Sequence, residues 1–505
     1  MHETPPFFIV GTARSGTTSL AEILNTANNG RCAIEPSPNL NVETREMVEG
    51  ELLDPISTLE RTVLPRVRNE LVRGGVYGEK NVTYGPFIRY LHQALGSRFA
   101  WVVRDGRDVV SSLINWHEKK FGTVYRECQD PGNLSVDALG SAANLPVHLD
   151  TSDYSRPRPR ADTALGHIWE QLSRAEMCAY YWSTINALYL EHFLGLPEEV
   201  WTRIDYTASS AEEVLRVARF CGLKGIDEQR VRTLLDKRIN SLEDRGVSSL
   251  ERYPHWTNWD GGMRRRFDRF AAPMMTRLGY YGEPATRWRP RDYGKVWNSR
   301  EANPDWYAWM FNGRRRIHED LLTWIAARDR QGDEISSVMD FGCGIGEGYS
   351  EALAGKRYIG VDLSPLNISW CKQHRSNKNH HYTCTDFIAN SLGETADLVF
   401  SSGTIDNAYD PDAYLAAMVR HAKKWVHLTC YRGWFPDLKE HRFSYNREHG
   451  CFYNDLAPSR ICETLTSLGC SDILACPIRT GSREIPFETL VIARVSGHSP
   501  EIVHA

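Results

Sequence analysis

Two glycine-containing segments of the sequence have the residue types and spacing of loops that bind phosphate or nucleotide. The first, Gly11–Thr18 (GTARSGTT), follows the short apolar run Phe7–Val10, which predicts a buried parallel strand. Glycines let backbone N–H groups face an anion, and a helix that begins at the loop adds a favourable dipole. The spacing is that of a Walker A loop, but Thr17 stands where that loop carries lysine. ATP is therefore disfavoured as the substrate, because a kinase or an ATPase would lose a contact to the transferred phosphoryl group.

A second polar segment offers further partners for a phosphate group. Arg104 follows the apolar run Phe99–Val103, and Ser112 comes eight residues after Arg104. Arginine supplies a charged, two-pronged donor and serine a hydroxyl donor. A helix over Val109–Trp116 would let both side chains reach one phosphate.

The two segments resemble the cofactor motifs of sulfotransferases that use 3′-phosphoadenosine-5′-phosphosulfate (PAPS). FFIVGTARSGTTSL is similar to their 5′-phosphosulfate loop, and VVRDGRDVVSSL to their 3′-phosphate motif. The resemblance covers about residues 5–282, although the basic, glycine-rich loop over the 3′-phosphate has only a weak counterpart in Gly246–Arg266. It also matches Tyr206 to a tyrosine that contacts the adenine. The cofactor-binding residues that it implies are Arg14, Ser15, Gly16, Thr17, Thr18, Arg104, Ser112 and Tyr206.

The same resemblance suggests which residues take part in sulfuryl transfer. The acceptor hydroxyl must lose its proton as it attacks, and a glutamate or a histidine can take that proton. Glu35, in RCAIEP, matches the position of a glutamate base in the tyrosylprotein and bacterial-type branches. His117, after the predicted second-motif helix, is the alternative base. Lys80 matches a family lysine near the sulfate, where a cation would stabilise negative charge on the bridging oxygen.

The second glycine loop precedes an acidic residue at the end of the next predicted strand. It follows the predicted strand Ser337–Phe341, and the next strand, Tyr358–Asp362, ends in the acid. Glycines allow close approach of a ligand, and an acid at that place can accept hydrogen bonds from both ribose hydroxyls. The pattern fits a nucleotide-type cofactor, with NAD as one alternative. The residues concerned are Asp340, Gly342, Gly344, Gly346 and Asp362.

This segment resembles motif I and the following acidic motif of class I methyltransferases that use S-adenosylmethionine (SAM). The resemblance covers roughly residues 295–497. It matches Asp386 to the acid that meets the adenine amino group, and Phe400–Asp406 to the segment that lines the methyl-donor pocket. A poor acceptor such as a sugar hydroxyl would also need a base, but spacing selects none of four candidates, His421, His427, His441 and His449. Aromatic residues cluster after the predicted strand Trp425–Leu428, where they suit either an acceptor face or a core. They are Trp434, Phe435, Phe443, Tyr445, Phe452 and Tyr453.

The resulting fold prediction is α/β with two domains, because strands alternate with helices in two separate series. We expect a PAPS-dependent sulfotransferase domain with a P-loop-like parallel sheet over residues 1–284. A linker and an N-terminal helix are expected over 285–330, with the helix at about Trp306–Arg328. A SAM-dependent methyltransferase domain with a Rossmann-like sheet is expected over 331–505.

Composition limits the other functions that the chain can have. The formal net charge of -4 over 505 residues argues against nucleic acid as a partner. The twelve cysteines show no metal-ligand spacing, and the early apolar run is too short for a signal peptide or a membrane span. We therefore expect a cytoplasmic, bifunctional enzyme that modifies a small-molecule or glycan acceptor and has no metal. The alternatives are a single active domain beside a binding module, a nucleic-acid methyltransferase and a kinase–methyltransferase; the oligomeric state is not predicted.

Overall fold

The computed structural model describes residues 4–52, 54–120, 156–206, 209–236, 253–298, 319–346, 349–480 and 482–496. The chain divides into two compact units. The first comprises Met1–Trp256 and Met263–Tyr280, and the second comprises Thr257–Gly262 and Tyr281–Ala505. Among the described residues, no helix is long and apolar enough to cross a membrane.

The described part of the first unit contains a five-stranded sheet in which every neighbouring pair is parallel. Its strands are β1 Phe7–Gly11, β2 Gly30–Ile34, β3 Val76–Lys80, β4 Arg98–Val103 and β5 Trp201–Asp205, in the order β2-β3-β1-β4-β5. Strands β1 and β3 are buried throughout, as expected for a parallel sheet that is covered on both faces. The predicted parallel sheet is confirmed, with β2 and β3 as strands that the sequence did not reveal.

Helices separate the strands of the first unit, and the helix after β1 buries its apolar side against the sheet. One cluster of the core joins Phe7 and Ile9 of β1 to Leu20 and Leu24 of the helix after it. The longest described helix begins at a capping box, in which Ser173 and Glu176 exchange hydrogen bonds. The helices are α1 Thr17–Leu24, α2 Asn41–Glu49, α3 Pro55–Arg61, α4 Val63–Val72, α5 Ile88–Leu95, α6 Gly106–Lys120, α7 Ala164–Ile168, α8 Arg174–Leu194, α9 Ala211–Phe220, α10 Glu228–Asp236 and α11 Gly261–Arg277, whose first two residues are counted with the second unit.

The described part of the second unit contains a seven-stranded mixed sheet and a separate two-stranded hairpin. The strands are β6 Ser337–Phe341, β7 Arg357–Asp362, β8 His380–Cys384, β9 Ala396–Ser402, β10 Ala422–Cys430, β11 Tyr445–Asn446, β12 Cys451–Phe452, β13 Cys470–Arg479 and β14 Phe487–Val495. The sheet order is β13-β14-β10-β9-β6-β7-β8, in which β14 is antiparallel to both of its neighbours. Counted from the other edge, the five parallel strands β8-β7-β6-β9-β10 have the Rossmann order 3-2-1-4-5, which agrees with the predicted Rossmann-like sheet.

Short helices connect the strands of the second unit. Two of them begin with a proline after a side-chain cap, because Ser364 accepts from the Asn367 N–H and Asp410 from the Ala413 N–H. The predicted helix at Trp306–Arg328 is described from Glu319 onward, and its first part lies outside the described residues. The helices are α12 Lys295–Asn298, α13 Glu319–Arg330, α14 Tyr349–Ala352, α15 Pro365–His374, α16 Pro411–His421 and α17 Pro458–Ser467.

Candidate cofactor sites

The first glycine loop joins β1 to α1 and is closely packed against Tyr206. The Ser15 hydroxyl donates to the Thr12 carbonyl at 2.7 Å and so tightens the turn. Gly16 precedes α1 with a φ of 99°, a left-handed conformation that favours glycine. A Cβ atom at Gly16 would lie only 2.1 Å from Cδ2 of Tyr206. The glycine is therefore required both by the backbone turn and by the aromatic ring that rests on the loop.

Two tyrosines of α8 bind the backbone of this loop. The Tyr181 hydroxyl accepts from the Ala13 N–H at 3.0 Å. The Tyr189 hydroxyl accepts from the Gly11 N–H and donates to the Gly11 carbonyl, both at 3.1 Å. Burial raises the pKa of Tyr189, which keeps its hydroxyl protonated as a donor. Sequence reasoning missed both residues, and their distance along the chain from the loop left no local signal.

The predicted phosphate-binding residues Arg14, Arg104 and Ser112 lie together beside Tyr206. Arg14 Nε donates to Ser112 Oγ at 3.0 Å, and Arg104 Nη1 donates to the Arg14 carbonyl at 3.0 Å. The Arg104 guanidinium carbon is 5.6 Å from the centre of the Tyr206 ring. Arg14 has a φ of 65°, a strained backbone conformation for a residue with a side chain. The arrangement places two cations, a hydroxyl and an aromatic face around one loop.

Acidic residues next to Arg104 form local ion pairs. Asp105 accepts two hydrogen bonds from the Arg107 guanidinium, one from Nε to Oδ1 at 3.0 Å and one from Nη2 to Oδ2 at 2.5 Å. Asp108 lies 3.8 Å from Arg104 Nη2 and 3.3 Å from His255 Nε2. Burial alone would raise the pKa of Asp108, but the hydrogen bond with His255 and the charge of Arg104 bring that pKa below its usual value. Asp108 is therefore a fixed negative charge that offsets part of the positive charge of this region.

Glu35 and Lys80 form an ion pair at the carboxyl edge of the first sheet. Glu35 follows β2, and its N–H donates to the Lys80 carbonyl at 2.8 Å, while Lys80 Nζ contacts Glu35 Oε1. The Lys80 side chain is 3% exposed and that of Glu35 is 49% exposed. Burial lowers the pKa of Lys80, and the Glu35 carboxylate opposes this shift. Lys80 is paired in register with Ile9 of β1, so the ion pair and the glycine loop share one edge.

The side chain of His117, the alternative base, lies outside the described residues.

The second glycine loop is held by Asp362. Gly342, Gly344 and Gly346 all have positive φ values, of 78°, 56° and 63°. The Gly344 N–H donates to Asp362 Oδ2 at 2.9 Å, and the Ser364 N–H donates to Oδ1 at 2.7 Å. A single buried carboxylate thus connects the loop after β6 to the loop after β7.

Two other predicted residues of this site have different surroundings. A Cβ at Gly342 would lie 2.4 Å from the Thr404 side chain, so the loop also packs against the segment after β9. Asp340 is 3% exposed and accepts a hydrogen bond from the Tyr358 hydroxyl at 2.5 Å. The structure therefore places Asp340 in the sheet interior below the loop. The role of Asp340 in binding a cofactor stays a prediction.

Asp386, the predicted adenine partner, follows β8 and is surrounded by donors. Its carboxylate receives the Ile388 N–H at 3.2 Å and the Tyr409 hydroxyl at 3.3 Å. Arg289 Nη1 lies 3.0 Å from Asp386 Oδ2. Sequence reasoning missed Arg289 and Tyr409, because they come from two other segments of the second unit.

Asp406 is a fully buried acid at the end of the segment after β9. The backbone N–H groups of Tyr431 and Arg432 donate to its carboxylate, each at 3.1 Å, and the Asn454 N–H donates to its carbonyl at 2.8 Å. Burial raises its pKa to about 7, although the two backbone donors oppose this shift. Asp406 therefore links three loops and titrates near neutral pH.

This titration predicts a pH dependence of stability that Asp406→Asn should remove. The pKa is higher in the folded chain than in the unfolded one, so the folded state retains a proton that the unfolded state has lost between about pH 4 and 7. The wild type should accordingly lose stability relative to Asp406→Asn as pH rises through that window, on the order of 3 kcal/mol. Denaturant unfolding at several pH values measures the difference. The exposed Asp437→Asn variant is the control, and parallel pH curves for the wild type and Asp406→Asn would contradict the assignment.

The candidate acceptor bases differ in their burial. Each of His421, His427 and His441 is 2% exposed. The His421 ring bonds the Glu394 carbonyl at 2.7 Å, which identifies His421 as a structural residue. His449 is partly exposed on the turn between β11 and β12, and its Nδ1 lies 2.7 Å from the Tyr453 hydroxyl.

The aromatic cluster after β10 divides between core and surface. Phe443 and Phe452 are buried, whereas the other members are partly exposed. The partly exposed ones are Trp434, Phe435, Tyr445 and Tyr453. In the described ranges, no group of three or more His, Cys, Asp or Glu side chains is arranged to hold a metal ion.

Comparison with known proteins gives a match within the second unit. Residues 339–429 match the family model described as a methyltransferase domain. One similar solved structure is the magnesium protoporphyrin IX methyltransferase of Synechocystis PCC 6803 with bound S-adenosyl-L-homocysteine (SAH). It is 17% identical, the match covers 40% of this chain and 98% of that chain, and the TM-score is 0.31. Another is the N-methyltransferase NodS of Bradyrhizobium japonicum WM9 in complex with SAH, which is 15% identical, with a match over 41% of this chain and 99% of that chain and a TM-score of 0.29. No curated protein matches the chain. Both TM-scores are below 0.5, so these two structures carry no argument. The family match alone places a methyltransferase domain in the C-terminal part of the chain.

Proposed function

We propose that the chain is a bifunctional tailoring enzyme. Its second unit transfers a methyl group from SAM to an oxygen or nitrogen acceptor, and its first unit transfers a sulfuryl group from PAPS to a hydroxyl. For the second unit, the observation that carries the proposal is the Asp362 carboxylate bonded to both Gly344 and Ser364. For the first unit, it is the convergence of Arg14, Arg104 and Ser112 on one loop.

The residues of the second unit supply a binding surface for SAM. Bound SAM supplies a methyl group that its sulfonium has already activated. Asp362 is the acceptor for the ribose hydroxyls, and the positive φ values of the glycine loop let the backbone approach the ligand. Holding donor and acceptor in line and excluding water then accounts for most of the catalysis.

The residues of the first unit supply cations, a base and an aromatic face. Bound PAPS supplies an activated sulfuryl group and leaves as adenosine 3′,5′-bisphosphate. Arg104, Arg14 and Ser112 hold phosphate, and Tyr206 lies against the loop where it can pack on the adenine. Glu35 takes the proton of the acceptor hydroxyl. Lys80, which contacts Glu35, stabilises negative charge at the same edge of the sheet.

Nucleotide selectivity tests the assignment of the first loop. Thr17 replaces the lysine that would contact the β- and γ-phosphates of ATP, whereas Arg104 and Ser112 are suited to a 3′-phosphate. We expect adenosine 3′,5′-bisphosphate to bind the full chain at least about tenfold more tightly than ATP, since one charged hydrogen bond contributes roughly 1.5–3 kcal/mol. Calorimetric titration with both nucleotides measures this. Preferential binding of ATP would favour the kinase alternative.

We further propose that both units act on one small-molecule or glycan acceptor. Two sites on one chain raise the local concentration of each product near the other site, to about millimolar for short flexible linkers. The test is to incubate candidate acceptors with PAPS alone, with SAM alone and with both, and to record product masses. A doubly modified product supports the shared acceptor. Turnover with only one donor across the whole panel would favour a single active domain beside a binding module.

A further inference from the structure

Donors from the protein itself occupy the hydrogen-bond acceptor positions of the Asp386 carboxylate. The N–H groups of Ile388 and Ala389 reach Oδ1 at 3.2 and 3.4 Å. The Tyr409 hydroxyl lies 3.4 Å from Oδ1 and 3.3 Å from Oδ2, and Arg289 Nη1 lies 3.0 Å from Oδ2. An ionised carboxylate offers about four acceptor positions. A further donor that approaches Asp386, such as an adenine amino group, must therefore replace one of these four.

The four donors differ in how firmly they are held. The two N–H groups belong to the turn that begins at Asp386, whose carbonyl also accepts from the Ala389 N–H at 3.2 Å. Tyr409 is fully buried, and its ring packs edge-on against Tyr293 with centres 4.8 Å apart. The Arg289 side chain is 37% exposed. Arg289 is therefore the donor whose departure costs least, because water can solvate its guanidinium at once.

The backbone after Arg289 is held by hydrogen bonds at Gly294 and Val296. The Arg289 side chain can therefore move away from Asp386 while this backbone stays in place. The Gly294 N–H donates to the Gly450 carbonyl and the Val296 N–H to the His449 carbonyl, both at 2.8 Å. The Arg289 guanidinium carbon is also 5.9 Å from the centre of the Tyr293 ring, a second resting place close to Asp386. A rotation of one side chain is thus enough to free an acceptor position.

We propose that Arg289 competes with the adenine amino group of SAM for Asp386 and thereby sets the affinity of the cofactor site. The inference rests on the proposed methyl-donor site, in which Asp386 meets the adenine. Because exposed ion pairs are weak, removing the competitor should strengthen binding about two- to fivefold. Salt should have a similar effect on the wild type, since it screens the pair that adenine must replace.

The experiment titrates the full chain with SAH, which keeps the adenosine of SAM and is not consumed. Four proteins are compared: the wild type, Arg289→Ala, Arg289→Lys and Arg291→Ala. Arg291 is an exposed arginine two residues further along and serves as the matched control. We expect Arg289→Ala to bind SAH about two- to fivefold more tightly, and the other two variants to resemble the wild type. Raising salt from about 0.05 to about 0.5 M should tighten SAH binding in the wild type but not in Arg289→Ala.

The outcomes separate this inference from the function on which it rests. If the wild type and Arg291→Ala bind SAH equally and Arg289→Ala binds with the same or lower affinity, the competition is refuted while the methyl-donor site stands. If the wild type does not bind SAH, the proposed methyltransferase function fails and the inference fails with it. Thermal unfolding of each variant shows that a change in affinity is not a loss of folded protein, and recovery of wild-type affinity in Arg289→Lys identifies the charge as the cause.

Discussion

Replacing Asp362 by alanine is expected to lower the affinity of the chain for SAH about a hundredfold or more. The variant loses the acceptor for the ribose hydroxyls, and it also leaves the N–H groups of Gly344 and Ser364 without their carboxylate. Each hydrogen bond to a charged group is worth roughly 1.5–3 kcal/mol, so the loss of the two bonds from the ribose hydroxyls accounts for the size of the effect. Calorimetric titration with SAH measures it, and binding of adenosine 3′,5′-bisphosphate should be unchanged.

The matched control for Asp362→Ala is Asp397→Ala. Asp397 is also buried, and it accepts from the N–H groups of Ser336 and Ser337, each at 3.0 Å. Asp397 lies near the start of β9, whereas Asp362 is the last residue of β7, so the loss of Asp397 should reduce stability and leave SAH affinity close to that of the wild type. If Asp362→Ala retains wild-type SAH affinity, or if both variants lose it equally, Asp362 is not a ligand of the methyl donor.

Replacing Arg104 by alanine is expected to weaken the binding of adenosine 3′,5′-bisphosphate about tenfold to a hundredfold. Arg104 is the charged member of the predicted 3′-phosphate pair, and it also fixes the strained Arg14 backbone through the Arg14 carbonyl. The loss of one charge-assisted hydrogen bond costs roughly 1.5–3 kcal/mol. Calorimetry again gives the measurement, and SAH affinity should not change.

A control for Arg104→Ala is available on β4, the strand that Arg104 follows. Arg98 is the first residue of β4, at the end opposite Arg104, and its Nη1 donates to the Phe220 carbonyl at 2.8 Å. Arg98→Ala removes an equal charge from the first unit without touching the phosphate loop. An unchanged affinity in Arg104→Ala, or an equal loss in Arg98→Ala, would show that no 3′-phosphate is held by Arg104.

The parts of the fold that could be predicted are those whose signal is local in the sequence. Strands β1, β4, β6 and β7 are short, largely apolar runs that end at, or are followed by, a polar or glycine residue, which is typical of buried parallel strands. Strand β3 was not recognised, because its sequence VYGEK ends in two charged residues. The interior tolerates Glu79 only because Arg66, Tyr77 and Tyr84 all bond its carboxylate. Tyr77 and Tyr84 are near Glu79 in the chain, but the charged partner Arg66 comes from the preceding helix, and the sequence does not show that these side chains converge on one carboxylate.

The candidate sites show the same division. Each glycine loop follows a strand, Asp362 ends β7 and Asp386 follows β8, so the position of each at the carboxyl edge of its own sheet could be predicted from order alone. The tyrosines of α8 that hold the first loop, and Arg289 beside Asp386, occur far from these motifs in the chain. Their contacts depend on helix packing and on a connecting segment whose path the sequence does not indicate. The need for glycine at Gly16 likewise becomes clear only with Tyr206 placed against it.

If one chain binds a methyl donor in its second unit and a sulfuryl donor in its first, a sequential titration should detect two independent sites. The full chain is first saturated with SAH and then titrated with adenosine 3′,5′-bisphosphate, and the order is reversed in a second sample. We expect each ligand to bind once, Asp362→Ala to remove only the SAH signal and Arg104→Ala to weaken only the bisphosphate signal. Competition between the two ligands for one site, or the absence of binding by either ligand to the wild type, would rule out two donor sites on this chain.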